Sequence, residues 1–175
     1  MLKVKSGNVQ LLGVLYERYK KWLFNFFVQM NGDRYLSEDL VQNVFMRVLK
    51  YKHTYTEESK FVTWVFQIAR NAQNDHFRKN QKFNEQVSVD ELAYRLDGNK
   101  GQEEVIEREE EHSLLHHAIQ RLPKDKREVI VLSKLKELRY REVAEILDCS
   151  EEAARTKAHR ALKELKIIYL ELQEN

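Results

Sequence analysis

Residues 140–165 read YREVAEILDCSEEAARTKAHRALKEL, and their pattern decides the fold. Val143, Ala144, Ile146 and Leu147 share one helical face, so the opening segment can bury a stripe. Asp148-Cys149-Ser150 breaks that pattern. Ser150 suits an N-cap, because its hydroxyl can accept from a free amide of the next turn; Glu151 and Glu152 complement the positive end of a helix dipole. The helix they open repeats Ala154, Ala158, Ala161, Leu162 and Leu165 along a narrow stripe, and its small side chains let another helix approach closely. Arg155, Thr156, His159, Arg160 and Lys163 occupy the opposite face. A helix docked by one face and carrying donors on the other is what reading a DNA major groove requires. The stretch predicts a helix-turn-helix, against the alternative of a solvated basic surface helix.

Composition sets the frame for the rest. The chain has 175 residues, room for one large or two small domains. Charged residues make up 33% of it, yet the formal net charge is +2, so nucleic-acid binding must rest on where the charges sit. Five Gly and one Pro, with long periodic runs of Leu, Glu, Lys and Arg, predict an all-α chain. The single cysteine, Cys149, excludes an internal disulfide and a multi-cysteine zinc site and reads as a small turn residue. Gly7 and its polar neighbours precede any apolar run, and WLFNFFVQM at 22–30 is too short to span a bilayer. A soluble, cytoplasmic protein is expected.

Upstream, residues 9–30 read as an amphipathic helix whose face holds Leu12, Leu15, Tyr16, Tyr19, Leu23, Phe26 and Phe27, ended by Asn31-Gly32-Asp33. A second helix is expected from Ser37 as N-cap to about Lys50, burying Leu40, Val41, Val44, Phe45, Val48 and Leu49. Asp39, Gln42, Asn43, Met46 and Arg47 fall on its exposed face, which suits a protein contact or an ordinary helix surface. Residues 53–60 lack a helical repeat and read as a loop. A third helix, from Phe61 to about Lys82, begins apolar and turns polar and basic. Rings followed by Asn and Arg fit a single-strand surface, although Trp64 and Phe66 at helical spacing read as core. Asn71 and Asn74 carry amides able to pair with base edges.

Residues 86–111 are acid-rich, contain Gly98 and Gly101, and read as a linker whose end, 103–111, can continue as helix into the next domain. Residues 113–121 carry Leu114, Leu115, Ala118 and Ile119, a stripe that continues to Leu122, and Pro123 suits the first turn of a helix running to about Lys136. His112, His116 and His117 do not make a metal site: adjacent residues point about 100° apart, and no third ligand is near. No cofactor is expected. The chain thus divides into an N-terminal domain at 1–85, the linker at 86–111 and a C-terminal domain at 112–175.

EDLVQNVFMRVLK and FVTWVFQIARNAQNDHFRK in the first half, with the segment from LPKDKREVIVL to RALKEL in the second, resemble bacterial sigma factors of the extracytoplasmic-function type, in the sigma-70 family. Within the resemblance, Asn43 stands where an acid is usual and Asp148 where a Gly is frequent. The resemblance implies a non-enzymatic protein that binds core RNA polymerase and directs it to promoters. It places Asp39, Val41, Gln42, Asn43 and Phe45 at the polymerase contact. Arg47, Tyr51, Tyr55, Asn71, Asn74 and Arg78 fall at the unpaired minus-10 base, which a ring stacks on and an amide reads. Tyr140, Arg155, Thr156, His159, Arg160 and Lys163 fall at the minus-35 groove. It also implies an anti-sigma factor as a further partner. A stand-alone helix-turn-helix regulator, or a sigma-like adapter without DNA binding, remains open at this point.

As a flexible coil, 86–111 spans roughly 25–30 Å. The resemblance implies promoter elements somewhat under two duplex turns apart, about 60 Å at roughly 35 Å per turn, within the linker's stretched reach of roughly 85 Å. The linker alone does not set that spacing, so free protein is expected to bind promoter DNA poorly.

Overall fold

The computed structural model describes residues 1–84 and 108–174, and every regular element among them is helical. The expected linker therefore lies outside the described residues as far as position 107; residues 108–111 already belong to a helix.

A short helix not foreseen from the sequence, α1 (Leu2–Lys5), buries Val4 and directs the Lys5 ammonium to the Tyr55 carbonyl at 2.7 Å. Helix α2 (Leu11–Asn31) buries Leu23, Phe26, Phe27 and Met30. It ends at Gly32, whose φ of 73° is left-handed and whose N–H donates to the Val28 carbonyl at 2.8 Å. Helix α3 (Arg34–Lys50) begins before the expected Ser37. Asp33 is the N-cap, accepting from the Leu36 amide at 3.0 Å, while Ser37 is fully buried and donates to the Asp33 carbonyl. The Asp side chain leaves the tight Gly32 turn already placed to cap, so the helix starts at once. After a 3-10 turn (Lys52–Thr54), α4 (Phe61–Asn84) closes the first unit against α2 and α3. Edge-on rings knit it together: Phe26 meets Phe66 at 5.3 Å and Tyr16 meets Phe45 at 4.9 Å.

The second unit comprises α5 (Arg108–Arg121), α6 (Lys124–Ile130), a π-helical turn (Val131–Leu135), α7 (Tyr140–Leu147) and α8 (Glu151–Gln173). Pro123 stands at the N-cap of α6, one position before the expected first turn, and the π turn interrupts what the periodicity predicts as continuous helix. Between α7 and α8 the chain turns at Asp148, with a left-handed φ of 54°, and Ser150 caps α8 by accepting from the Ala153 amide at 3.1 Å. Helix α8 packs across α5, α6 and α7. Ala154, Ala158 and Ala161 are completely buried in those contacts, whereas Leu162, expected in the same stripe, is 37% exposed. One residue past Ala161 the helix has turned by about 100°, which carries Leu162 off the narrow face.

One apolar core runs through both units. Their junction is anchored at the end of α2: Gln120 donates to the carbonyls of Val28 and Gln29, and Arg127 donates to that of Met30 at 2.7 Å.

The small-residue contact has a direct test. Ala158→Leu should destabilise the protein by about 1–3 kcal/mol through overpacking. Leu162→Ala should cost less than about 1 kcal/mol, since the side chain is partly in water already. Urea unfolding of both variants checks the order.

Candidate nucleic-acid interfaces

Helices α3 and α4 enclose a cavity of about 350 Å³ lined by Arg47, Tyr51, Ile68, Asn71, Asn74, Asp75 and Arg78. Five of the expected minus-10 residues thus converge on one recess of a size that holds a small planar group. Helical spacing does this: Asn71, Asn74, Asp75 and Arg78 recur at i, i+3, i+4 and i+7, on one side of α4. Arg47 reaches across from α3 and is held twice, donating to Asp75 Oδ2 at 2.7 Å and to Asn43 Oδ1 at 2.7 Å. Tyr51 at the rim is 39% exposed, with the Lys50 ammonium 5.3 Å from its ring centroid. The recess therefore offers amides and a guanidinium for hydrogen bonding beside a ring for stacking.

Tyr55 does not join it. Its ring is 8% exposed and packs edge-on against Trp64 at 5.3 Å, and burial raises its hydroxyl pKa. The 3-10 turn folds the chain back after Thr54 and turns Tyr55 inward. Asp75, which the sequence reading did not single out, is part of the recess; its place in the i, i+4 register with Asn71 was the available signal.

The exposed face of α8 presents Arg155, Thr156, His159, Arg160 and Lys163 to solvent. Tyr140, at the start of α7, lies under the Arg155 guanidinium, 5.2 Å from its ring centroid, and Arg155 also bonds Glu151 at 2.9 Å. This ring and carboxylate preorganise the arginine above the helix surface.

On α3, Asp39, Gln42 and Asn43 are exposed. Val41 and Phe45, expected with them at a protein contact, are 4% and 7% exposed and belong to the core. A periodic apolar stripe buries them regardless of what the neighbouring positions touch. Gln42 borders a groove of about 360 Å³ between α2 and α3, lined with Tyr16, Phe24 and Val41. Met46, 70% exposed, and Tyr35, 82% exposed, lie on the same helix.

A further row of polar side chains on or beside α4 faces the second unit. Arg70 pairs with Glu128 through both carboxylate oxygens at 3.1 and 3.2 Å; burial raises the Glu128 pKa and the guanidinium opposes that rise. Lys60 meets Glu142 at 2.7 Å, and Lys124 donates to Asn74 Oδ1 at 2.9 Å. Burial lowers Lys136, in the cleft between the units, to about 8. Among the described residues no cluster of His, Cys, Asp and Glu could hold a metal ion, and no helix is long and apolar enough to cross a membrane.

Comparison with known proteins agrees with this arrangement. Residues 15–83 match the family model for sigma-70 region 2, and residues 112–165 match that for sigma-70 region 4. The chain is 36% identical over 155 residues to the ECF RNA polymerase sigma factor SigM of Bacillus subtilis (strain 168), covering 89% of this chain and 93% of that protein. It is 32% identical over 157 residues to SigX of the same organism, covering 87% and 80%. Its fold is similar to that of the sigma factor RpoE in complex with the anti-sigma factor NepR from Bartonella quintana, with a TM-score of 0.69 at 20% identity over 94% of this chain and 96% of that one.

The Arg47–Asp75 pair should matter for order more than for stability. Both side chains are partly exposed, at 27% and 42%. Asp75→Asn should therefore change the unfolding free energy by less than about 1 kcal/mol. It should still loosen Arg47, read as a lower order parameter for its Nε–H by NMR relaxation. An equally ordered Arg47 would remove Asp75 as its anchor.

Proposed function

Because this chain belongs to the sigma-70 family, in its extracytoplasmic-function group, we propose that it binds core RNA polymerase and directs it to promoters. The observation that carries the reading is that one chain holds two surfaces of unlike shape and chemistry. An exposed donor face on α8 fits duplex DNA, and a recess of about 350 Å³ between α3 and α4 fits a single unstacked base. A stand-alone regulator would need the first and have no use for the second.

In this reading Arg155, Thr156, His159, Arg160 and Lys163 read the minus-35 element as duplex, with Tyr140 supporting Arg155. Arg47, Tyr51, Asn71, Asn74 and Arg78 take a minus-10 base from the separated strand. Asp39 and Gln42 contact polymerase, beside exposed Met46. The chain works as two units, 1–85 and 112–175, joined at 86–111. It acts in the cytoplasm, where its polymerase is, has no catalysis of its own, and takes an anti-sigma factor as its regulatory partner.

Transcription in vitro with core polymerase, on the promoter of the protein's own upstream region, tests this. Arg155→Ala should cost about 1–3 kcal/mol of promoter binding and relax preference at one base pair. Asn71→Ala should be defective on matched duplex and recover on a template mismatched across the minus-10 region, because the opening cost is then absent. Arg155→Ala should not recover there. Equal rescue of both variants would overturn the assignment.

Polymerase binding is tested separately. Asp39→Lys with Gln42→Ala should weaken association with core in a pull-down titration while leaving the melting curve unchanged. Unaltered affinity would remove the α3 face from the contact.

A further inference from the structure

Helix α1 packs against α2 and against the 3-10 turn at Lys52–Thr54. Two features seat it there. Gly7 lies between α1 and α2 with a left-handed φ of 115°, a conformation that strains any residue with a Cβ. Val4 is 1% exposed, which fixes the inward face of α1. Lys5, one residue on, then reaches the Tyr55 carbonyl at 2.7 Å, where the turn ends. Among the described residues no backbone N–H donates to that carbonyl, so the ammonium is its donor.

The turn carries this contact to the recess. Tyr51 closes α3 by donating its N–H to the Arg47 carbonyl at 2.8 Å. Its own carbonyl accepts from the Thr54 N–H and from Thr54 Oγ1, both at 2.9 Å. Tyr51 and Tyr55 are therefore the two ends of one hydrogen-bonded turn. The Tyr55 ring, packed against Trp64, sets how deep the far end lies, and the Lys5 bond sets how its peptide group is turned. Thr56, Glu57 and Glu58, next along the chain, are exposed, so Tyr55 and Lys5 restrain this end. The Tyr51 ring is 39% exposed, so its backbone, more than packing, decides where it lies.

We propose that α1 braces this turn and that Lys5 is a positioning residue for strand reading, acting through the ring of Tyr51. The proposal rests on the reading of Tyr51 as the ring that stacks on the unpaired minus-10 base. A ring on a surface turn presents one face to a base only while the residues behind it hold the turn still. Lys5 does this without entering the recess, whose lining comes from α3, α4 and Tyr51. The rival role for an exposed ammonium is a direct phosphate contact.

Lys5→Ala, Lys5→Arg, Tyr51→Ala and the double variant Lys5→Ala with Tyr51→Ala test this in the full chain assembled with core polymerase. The probe is the protein's own upstream region as a template mismatched across the minus-10 region, with binding titrated by fluorescence anisotropy. Lys5→Ala should weaken binding roughly three- to tenfold, less than the loss of a whole stacked ring. Lys5→Arg should restore most of it, since a guanidinium can donate to the same carbonyl. In the Tyr51→Ala background, Lys5→Ala should change little, because the ring it positions is gone. A phosphate contact predicts instead an additive loss and a salt dependence shallower by about one unit. Either result overturns the proposal. In the free protein, hydrogen exchange at the Thr54 and Tyr55 amides should quicken in Lys5→Ala while the melting curve stays near wild type. Unchanged exchange overturns it too. A silent Tyr51→Ala removes the stacking reading and the purpose of the brace with it, whereas a defective Tyr51→Ala beside a silent Lys5→Ala removes the brace alone.

Discussion

The end of α2 is where the two halves of this protein depend on each other. A helix leaves its last four carbonyls without intrahelical donors, at the negative end of its dipole. Here the Gly32 N–H donates to the Val28 carbonyl, while Gln120 and Arg127 from the second unit donate to the carbonyls of Val28, Gln29 and Met30. The same Arg127 also donates to the carbonyls of Gln120 and Leu122, where α5 gives way to α6. One guanidinium therefore finishes α2 and joins α5 to α6. Net hydrogen bonds contribute about 0.5–1.5 kcal/mol each, and exposed ion pairs roughly 0–1 kcal/mol. Buried polar atoms without partners cost about 1–3 kcal/mol each. These polar contacts act beside the apolar core that the two units share.

On this frame the two candidate DNA surfaces arise by different physics. The first half of helix α8 turns its donors outward because its inward face there is alanine: Ala154, Ala158 and Ala161 bring the backbone close to its neighbours, and Arg155, Thr156, His159 and Arg160 project into solvent. The recess on the first unit comes instead from a crossing of helices, with Arg47 of α3 fixed over the i, i+3, i+4 row of α4 by Asp75 and Asn43. The first surface needs only a preorganised arginine. The second needs a hole, and amides, a guanidinium and a ring line it.

Much of this was legible in the sequence. The helices followed from periodicity, and the turn at Asp148 followed from a break between two stripes. Five of the residues that the resemblance groups at the minus-10 base line one recess between α3 and α4. What failed did so for identifiable reasons. Val41 and Phe45 were assigned outward roles although their own stripe buries them. Tyr55 was placed by likeness, and the 3-10 turn that buries it has no hydrophobic period. Ser37 has the chemistry of a cap, but Asp33 stands directly after the turn and takes that role first. The contacts between the units were invisible, because they join residues up to 97 positions apart through side chains that each look like ordinary surface.

The most direct measurement of the account is the distance between the two units, free and bound to polymerase. Cys149→Ser removes the single native cysteine, and spin labels can then be placed at exposed Lys79 and Ile167, one in each unit. Double electron–electron resonance on the free protein should give one narrow distribution, short enough to fit a body roughly 40 Å across. With core polymerase it should shift as a whole to longer distances. A free protein already broad and extended, or a distance unmoved by core, would contradict the account.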